Sequence, residues 1–176
     1  MVSSLALAMT FAFEPTERDA MHRPPRHSDE PLLSGSLAWR VGLVSALFLA
    51  GIFGMFIWSR RAGLSLEEAR TAAVNTLVVM EIFYLFSVRY LRVASLTLEG
   101  VLGTKAVLIG LGGVVALQLV FTYAPFMQAL FDTRPIGLGH GFLIVAVGAA
   151  LFAVLELEKH ARRLLPGPLS QWLHAG

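Results

Sequence analysis

The chain has 176 residues, of which 56% are apolar and only 15% charged, with a net charge of +2 and a mean hydropathy of +0.67. Soluble domains carry about 25% charged residues, so this composition excludes an ordinary soluble domain and points to an integral membrane protein. With no cysteine there is no disulfide framework, no thiolate metal site and no cysteine nucleophile, and the basic residues sit at the ends of apolar runs, where membrane orientation rather than nucleic-acid binding accounts for them.

Residues 1–13, MVSSLALAMTFAF, are apolar but shorter than a span. No basic n-region precedes them and Glu14-Pro15 follows directly, so a signal peptide does not fit. The stretch reads as the end of a truncated transmembrane helix. Residues 14–40 are polar and hold Pro15, Pro24, Pro25 and Pro31 with Arg18, Arg23, Arg26 and Arg40. They read as an extended, solvated cytoplasmic loop, with a ligand for a proline-recognising domain as the sharper alternative.

Residues 41–59 carry no charge and predict the first complete span. Gly42, Ala46, Ala50 and Gly54 recur every fourth residue, which predicts a face that another helix approaches closely. Trp58 stands at the end, where interfacial aromatics belong. In the connection 60–70, Ser65 and Glu68 have the spacing of a capping box. The second span is 71–88, TAAVNTLVVMEIFYLFSV, whose helix would be about 27 Å long, close to the thickness of the hydrocarbon core.

A polar, basic connection follows at 89–105, with Arg89, Arg92 and Lys105. A third span is expected over about 106–124, ended or kinked by Pro125. Gln118 is its one strong polar group and reads as an interhelical hydrogen bond. After the connection 125–137, a fourth span runs from about 138 to 155, where Gly137, Gly139, Gly141 and Gly148 again suggest close packing. The tail is amphiphilic and basic, with Lys159, Arg162 and Arg163. The expected architecture is an all-α helical bundle of four full transmembrane helices in 41–158, plus the end of a fifth at the N-terminus, with a cytoplasmic tail at 159–176. Ten of the 14 Lys and Arg fall in loop 14–40, loop 89–105 and the tail, which makes that side cytoplasmic.

No nucleotide-binding loop, nucleophile elbow, zinc motif or Ser/His/Asp set occurs. His22, His27, His140, His160 and His174 are scattered through loops and termini and read as solvated or interfacial. The one sharp feature is Glu81, near the middle of the second span. A carboxylate at that depth costs on the order of a few kcal/mol and marks either a functional group or a firm structural tie. One reading is a hydrogen-bonded carboxyl that ties two helices. The other is an ion ligand or proton site facing the bundle interior. Asn75, Thr71 and Tyr84 add polar groups along the same span.

These residues also carry a resemblance. FEPTERDAMHRPPR at 13–26, with Asp19, Met21, Arg23, Pro24, Pro25 and Arg26, is similar to the loop after the sixth membrane helix of type II P-type cation-transporting ATPases, the class that includes the calcium pumps. EPLLS at 30–34 and Arg40 resemble that family's lead-in to the seventh helix, and VVMEIFYLFSVR at 78–89 resembles its eighth helix with a central Glu. The resemblance spans nearly the whole chain and implies the C-terminal membrane portion of such a pump. It implies a cation-binding role for Glu81, with Ser3, Ser4, Asn75, Tyr84 and Gln118 as weaker polar candidates. It also marks two departures. The sixth-helix Thr-Asp-Gly of calcium pumps corresponds to Val2-Ser3-Ser4-Leu5 here, and Tyr84 stands where their eighth helix has Asn.

The phosphorylated Asp-Lys-Thr-Gly motif does not occur in the chain, so it holds no ATP-hydrolysing machinery of its own. No cofactor is expected here, and ATP and Mg belong to a full-length pump. The implied partners are the lipid bilayer, the transported cation and the missing N-terminal part of the pump, with no nucleic acid, in a multi-pass protein of the plasma membrane. The alternative from another class is a stand-alone small membrane protein acting as an accessory or packing subunit. The charge distribution gives a direct test. Single cysteines at His27, Ser95 and Ser170 are expected to be shielded from a membrane-impermeant thiol reagent in intact cells, while Leu64→Cys reacts, and the reverse pattern inverts the topology.

Overall fold

The computed structural model describes residues 35–89 and 105–164. The expected helix end at 1–13, Ser3 and Ser4, most of the Pro/Arg loop and the end of the tail lie outside those residues. The described residues form helices α1 (Gly35–Arg61), α2 (Leu66–Arg89), α3 (Lys105–Tyr123), α4 (Pro125–Phe131) and α5 (Leu138–Leu164), with no strand among them. Three helices are long and apolar enough to cross a membrane, and α3 joined to α4 supplies a fourth span only as a pair bent by 75°. The chain is thus an all-α membrane bundle.

Each boundary has a local cause. Glu68 N donates to Ser65 Oγ at 3.1 Å and Ser65 N donates to Glu68 Oε2 at 2.7 Å, the expected capping box, so α2 starts ahead of its apolar run. Glu67 and Glu68 also place negative charge at the positive end of the helix dipole. Between α1 and α2 the chain reverses through Gly63 at φ +87°, a left-handed conformation that glycine adopts without strain. Arg60 Nη1 donates to Leu64 O at 2.8 Å across that turn.

Pro125 breaks the third span and begins a new helix at the same point. Ala124 is held extended (φ −74°, ψ 128°), as residues before proline are, and Pro125 occupies the first turn of α4, where its missing N–H costs nothing. The connection 125–137 is therefore partly helical. Asp132, in the left-handed region, ends α4. At the other extreme, α5 continues to Leu164, so the first residues assigned to the tail are helical.

At the centre of the bundle, α2 packs most extensively against α5 and α1 and less against α3. Three clusters mark its contacts. Val78 and Leu85 meet Val107 and Val114 of α3. Ala72 joins Met55 of α1 and Ile136 and Ile144 at the entry to α5. Met80 meets Leu151 and Leu155 of α5, with Leu43, Leu47, Phe48 and Ile52 of α1 packed around them.

Of the small residues that the sequence pattern singles out, Gly148 makes a close approach and the stripe on α1 does not. A Cβ on Gly51 would stand 2.7 Å from Met80 Sδ, and one on Gly148 would stand 2.5 Å from Phe83 Cδ2 and 2.7 Å from Val79 Cγ1. These two glycines are the notches that admit α2. The four-residue stripe is not. Gly42, Ala46, Ala50 and Gly54 are all exposed, and nothing lies within 4 Å of a Cβ built on Gly42 or Gly54. The face that packs inside this chain is the one carrying Phe48, Gly51, Ile52 and Met55, turned away from the stripe. Likewise Gly139 and Gly141 have open space around them.

The two notches differ in what fills them. Met80 can swing its flexible end aside, whereas Phe83 and Val79 are stiff. In purified protein, Gly148→Ala is expected to lower resistance to unfolding by about 1–3 kcal/mol and Gly51→Ala by less, with Gly54→Ala near neutral, as measured by titration with SDS.

Candidate functional site

The helical turn of about 100° per residue divides α2 into sides. Val78, Ile82 and Leu85 face α3. Ala72, Val79 and Phe83 face α5. Met80 and Tyr84 face α1, where Met80 fills the Gly51 notch and the Tyr84 ring meets Phe48 edge-on at 6.0 Å. Glu81 lies in the remaining sector, about 100° around from Met80, in line with Val74, Leu77 and Val88. Val74 on this line is exposed, and Glu81 itself is half-buried. The carboxylate is thus on the side of the central helix between the α1 and α3 contacts.

Of the weaker candidates, Asn75 has a clear structural task. Its Nδ2 donates to Thr71 O at 2.8 Å and to Thr122 Oγ1 at 3.0 Å, which ties α2 to α3. Thr122 Oγ1 also lies 2.9 Å from Gln118 O, on the preceding turn of α3. Gln118 does not form the expected interhelical bond through its side chain. Its Nε2 is buried and makes no hydrogen bond among the described residues. The tie is made instead one turn further along by Asn75 and Thr122, because Thr122 is short enough to sit at the helix contact. Gln118 shares its α3 face with Val107, Val114 and Thr122, so its amide is directed at the α2 interface.

The polar ties continue beyond the end of α3. Arg134 N donates to Thr71 Oγ1 at 3.1 Å, Thr133 Oγ1 donates to Phe121 O at 3.1 Å, and Tyr123 OH donates to Ile136 O at 3.0 Å. Thr122, Thr133 and the Thr71–Arg134 bond are functional scaffolding that sequence reasoning missed, since a threonine in an apolar run gives no signal of its partner.

The candidates do not form one constellation. Asn75 binds Thr122 of α3, whereas the Tyr84 ring meets Phe48 of α1. Among the described residues no group of three or more His, Asp or Glu side chains is placed to hold a metal ion.

A mid-span carboxylate on the central helix of a partly covered bundle agrees with a part of a larger membrane assembly. Comparison with known proteins supplies the family. Residues 1–161 match the family model described as "Cation transporting ATPase, C-terminus". The chain belongs to this family. It is 40% identical over 168 residues to a probable cation-transporting ATPase F of Mycobacterium tuberculosis, covering 96% of this chain and 18% of that protein. It is 37% identical over 140 residues to the cation-transporting ATPase pma1 of Synechocystis, covering 77% of this chain and 16% of the relative. With the calcium-transporting ATPase type 2C member 2 of mouse it shares 29% identity over 156 residues, or 86% of this chain and 16% of that one. The chain thus spans less than a fifth of the length of these relatives.

The Asn75–Thr122 tie can be measured directly. Asn75→Ala and Thr122→Ala are each expected to destabilise the bundle, and the double variant by less than their sum. The coupling expected from interhelical bonds in membranes is about 0.6 kcal/mol, read from a double-mutant cycle of SDS unfolding.

Proposed function

We propose that the chain is the C-terminal membrane portion of a P-type pump that drives cations across the plasma membrane, and that Glu81 supplies one oxygen ligand to the cation on its way. The observation that carries this reading is the position of Glu81: a carboxylate near mid-span on the central helix of the bundle, half-buried and with one oxygen fully buried. The family membership supports it, as do the relatives described as transporting cations or calcium. The remaining ligands come from helices of the pump outside this chain. The exposed stripe of Gly42, Ala46, Ala50 and Gly54 on α1 is a surface on which such helices can lie close. ATP and Mg act in the parts of the pump that hold the nucleotide and the phosphorylated aspartate, so this chain contributes to transport and not to hydrolysis.

In the complete pump, Glu81→Gln keeps the shape and removes the charge. The cation concentration that half-saturates ATP hydrolysis is expected to rise about tenfold to hundredfold, as for loss of a bond to a charged group, with expression little changed. Gln118→Glu serves as a control for a carboxylate placed elsewhere in the bundle. An unaltered cation dependence in Glu81→Gln makes the residue a structural tie between helices.

A further inference from the structure

Far from the Ser65 cap, at the other end of α2, a second polar cluster joins α2 to α5. Ser87 is fully buried and Lys159 is 9% exposed. Lys159 Nζ donates to the backbone carbonyl of Ser87 at 2.7 Å and to Oε1 of Glu156, one turn earlier on α5. Ser87 Oγ donates to the same carboxylate oxygen at 3.4 Å. The carbonyl of Ser87 carries a partial negative charge and the Glu156 carboxylate a full one. The ammonium thus answers two negative groups at once, one from each helix.

This contact differs in kind from the rest of the α2–α5 interface. Phe83 and Val79 against Gly148, and Met80 against Leu151 and Leu155, set how near the helices come. Apolar contacts of that type exchange for similar ones when a helix slides or turns slightly. A buried charge on one particular carbonyl does not. Displacing α2 takes the Ser87 carbonyl away from the ammonium, which keeps only Glu156 of its own helix, and so breaks a charge-assisted hydrogen bond in a low-dielectric setting.

We propose that Lys159, held by Glu156, is a positioning residue for the cation site: it locks the axial and rotational setting of α2, and with it Glu81, which lies about 9 Å further along the same helix. The proposal rests on the reading of Glu81 as a cation ligand. Neither Lys159 nor Glu156 touches the cation. They decide where the carboxylate stands when the cation arrives.

The test uses the complete pump in proteoliposomes. Lys159→Met keeps the stem and removes the charge. The half-saturating cation concentration is expected to rise about tenfold, the lower end for loss of a residue that orients a metal ligand, while the rate at saturating cation stays nearly unchanged. Lys159→Arg still donates to the Ser87 carbonyl and is expected to recover most of the affinity. Spin labels at the exposed Val74 and Val154, in a background free of other cysteines, should report a shifted or broadened distance in Lys159→Met and the parent distance in Lys159→Arg. Should Lys159→Met fail to accumulate, Ser87→Ala and Glu156→Gln are expected to shift affinity the same way by less. Loss confined to the amount of folded protein or to the saturated rate overturns the proposal, as does an unchanged half-saturation in a pump that Glu81→Gln weakens. If Glu81→Gln itself changes nothing, the ligand reading fails separately. The label distances then decide alone: a shift upholds Lys159 as the residue that sets α2, and no shift overturns it.

Discussion

In a bilayer the solvent is as apolar as the side chains, so burying leucine against leucine gives helices little reason to associate. Everything in this bundle follows from that constraint. What holds α2 is shape and a few polar ties. Met80 enters the notch at Gly51, and Phe83 and Val79 enter the notch at Gly148. Thr71 and Asn75 bind one end to the Arg134 backbone and Thr122, and Lys159 binds the other end through the Ser87 carbonyl. Between these fixed points the helix has little freedom to roll.

That rigidity gives Glu81 its meaning. Contacts with α1, α3 and α5 consume the other sides of α2 and leave the carboxylate in the remaining sector. A flexible helix could swing such a group toward the nearest polar partner. A pinned one presents it to a defined place. For cation binding this matters more than the identity of the acid, because a ligand shell assembled from several helices tolerates little misplacement of any member. The family to which the chain belongs is that of the C-terminus of cation-transporting ATPases.

The spans were legible because an uncharged run of helix length has few other physical explanations, and the capping box at Ser65 and Glu68 was legible because both partners sit in one turn. Glu81 stood out for the same reason, as a single charge where charge is costly. What depends on a second helix was not legible. Spacing singled out Gly42, Ala46, Ala50 and Gly54 as a face, but a repeat states which residues align and not which side meets a neighbour. Of the real notches, Gly148 was among the glycines read as close-packed, whereas Gly51 lies off the stripe. Gln118 looked like the polar tie because it is the most polar residue in its span, yet the shorter Thr122 reaches Asn75. Pro125 was read as an end or a kink, and the structure has both, since α3 stops there and α4 begins at a 75° bend. Lys159 was assigned to a cytoplasmic tail because its partner on the other helix, Ser87, lies 72 residues away in sequence.

The tight turn at Gly63 sets an order of events. Because α1 and α2 are joined by so short a reversal, they meet as soon as both have been made, and the Gly51–Met80 fit is available to that hairpin alone. The partner that covers most of the other side of α2 begins only at Leu138. During synthesis, therefore, the hairpin enters the bilayer with the surface around Val79 and Phe83 bare and with the Ser87 carbonyl still waiting for Lys159. Of the described helices, α5 is the last to emerge and the one that closes the Val79 and Phe83 side of α2.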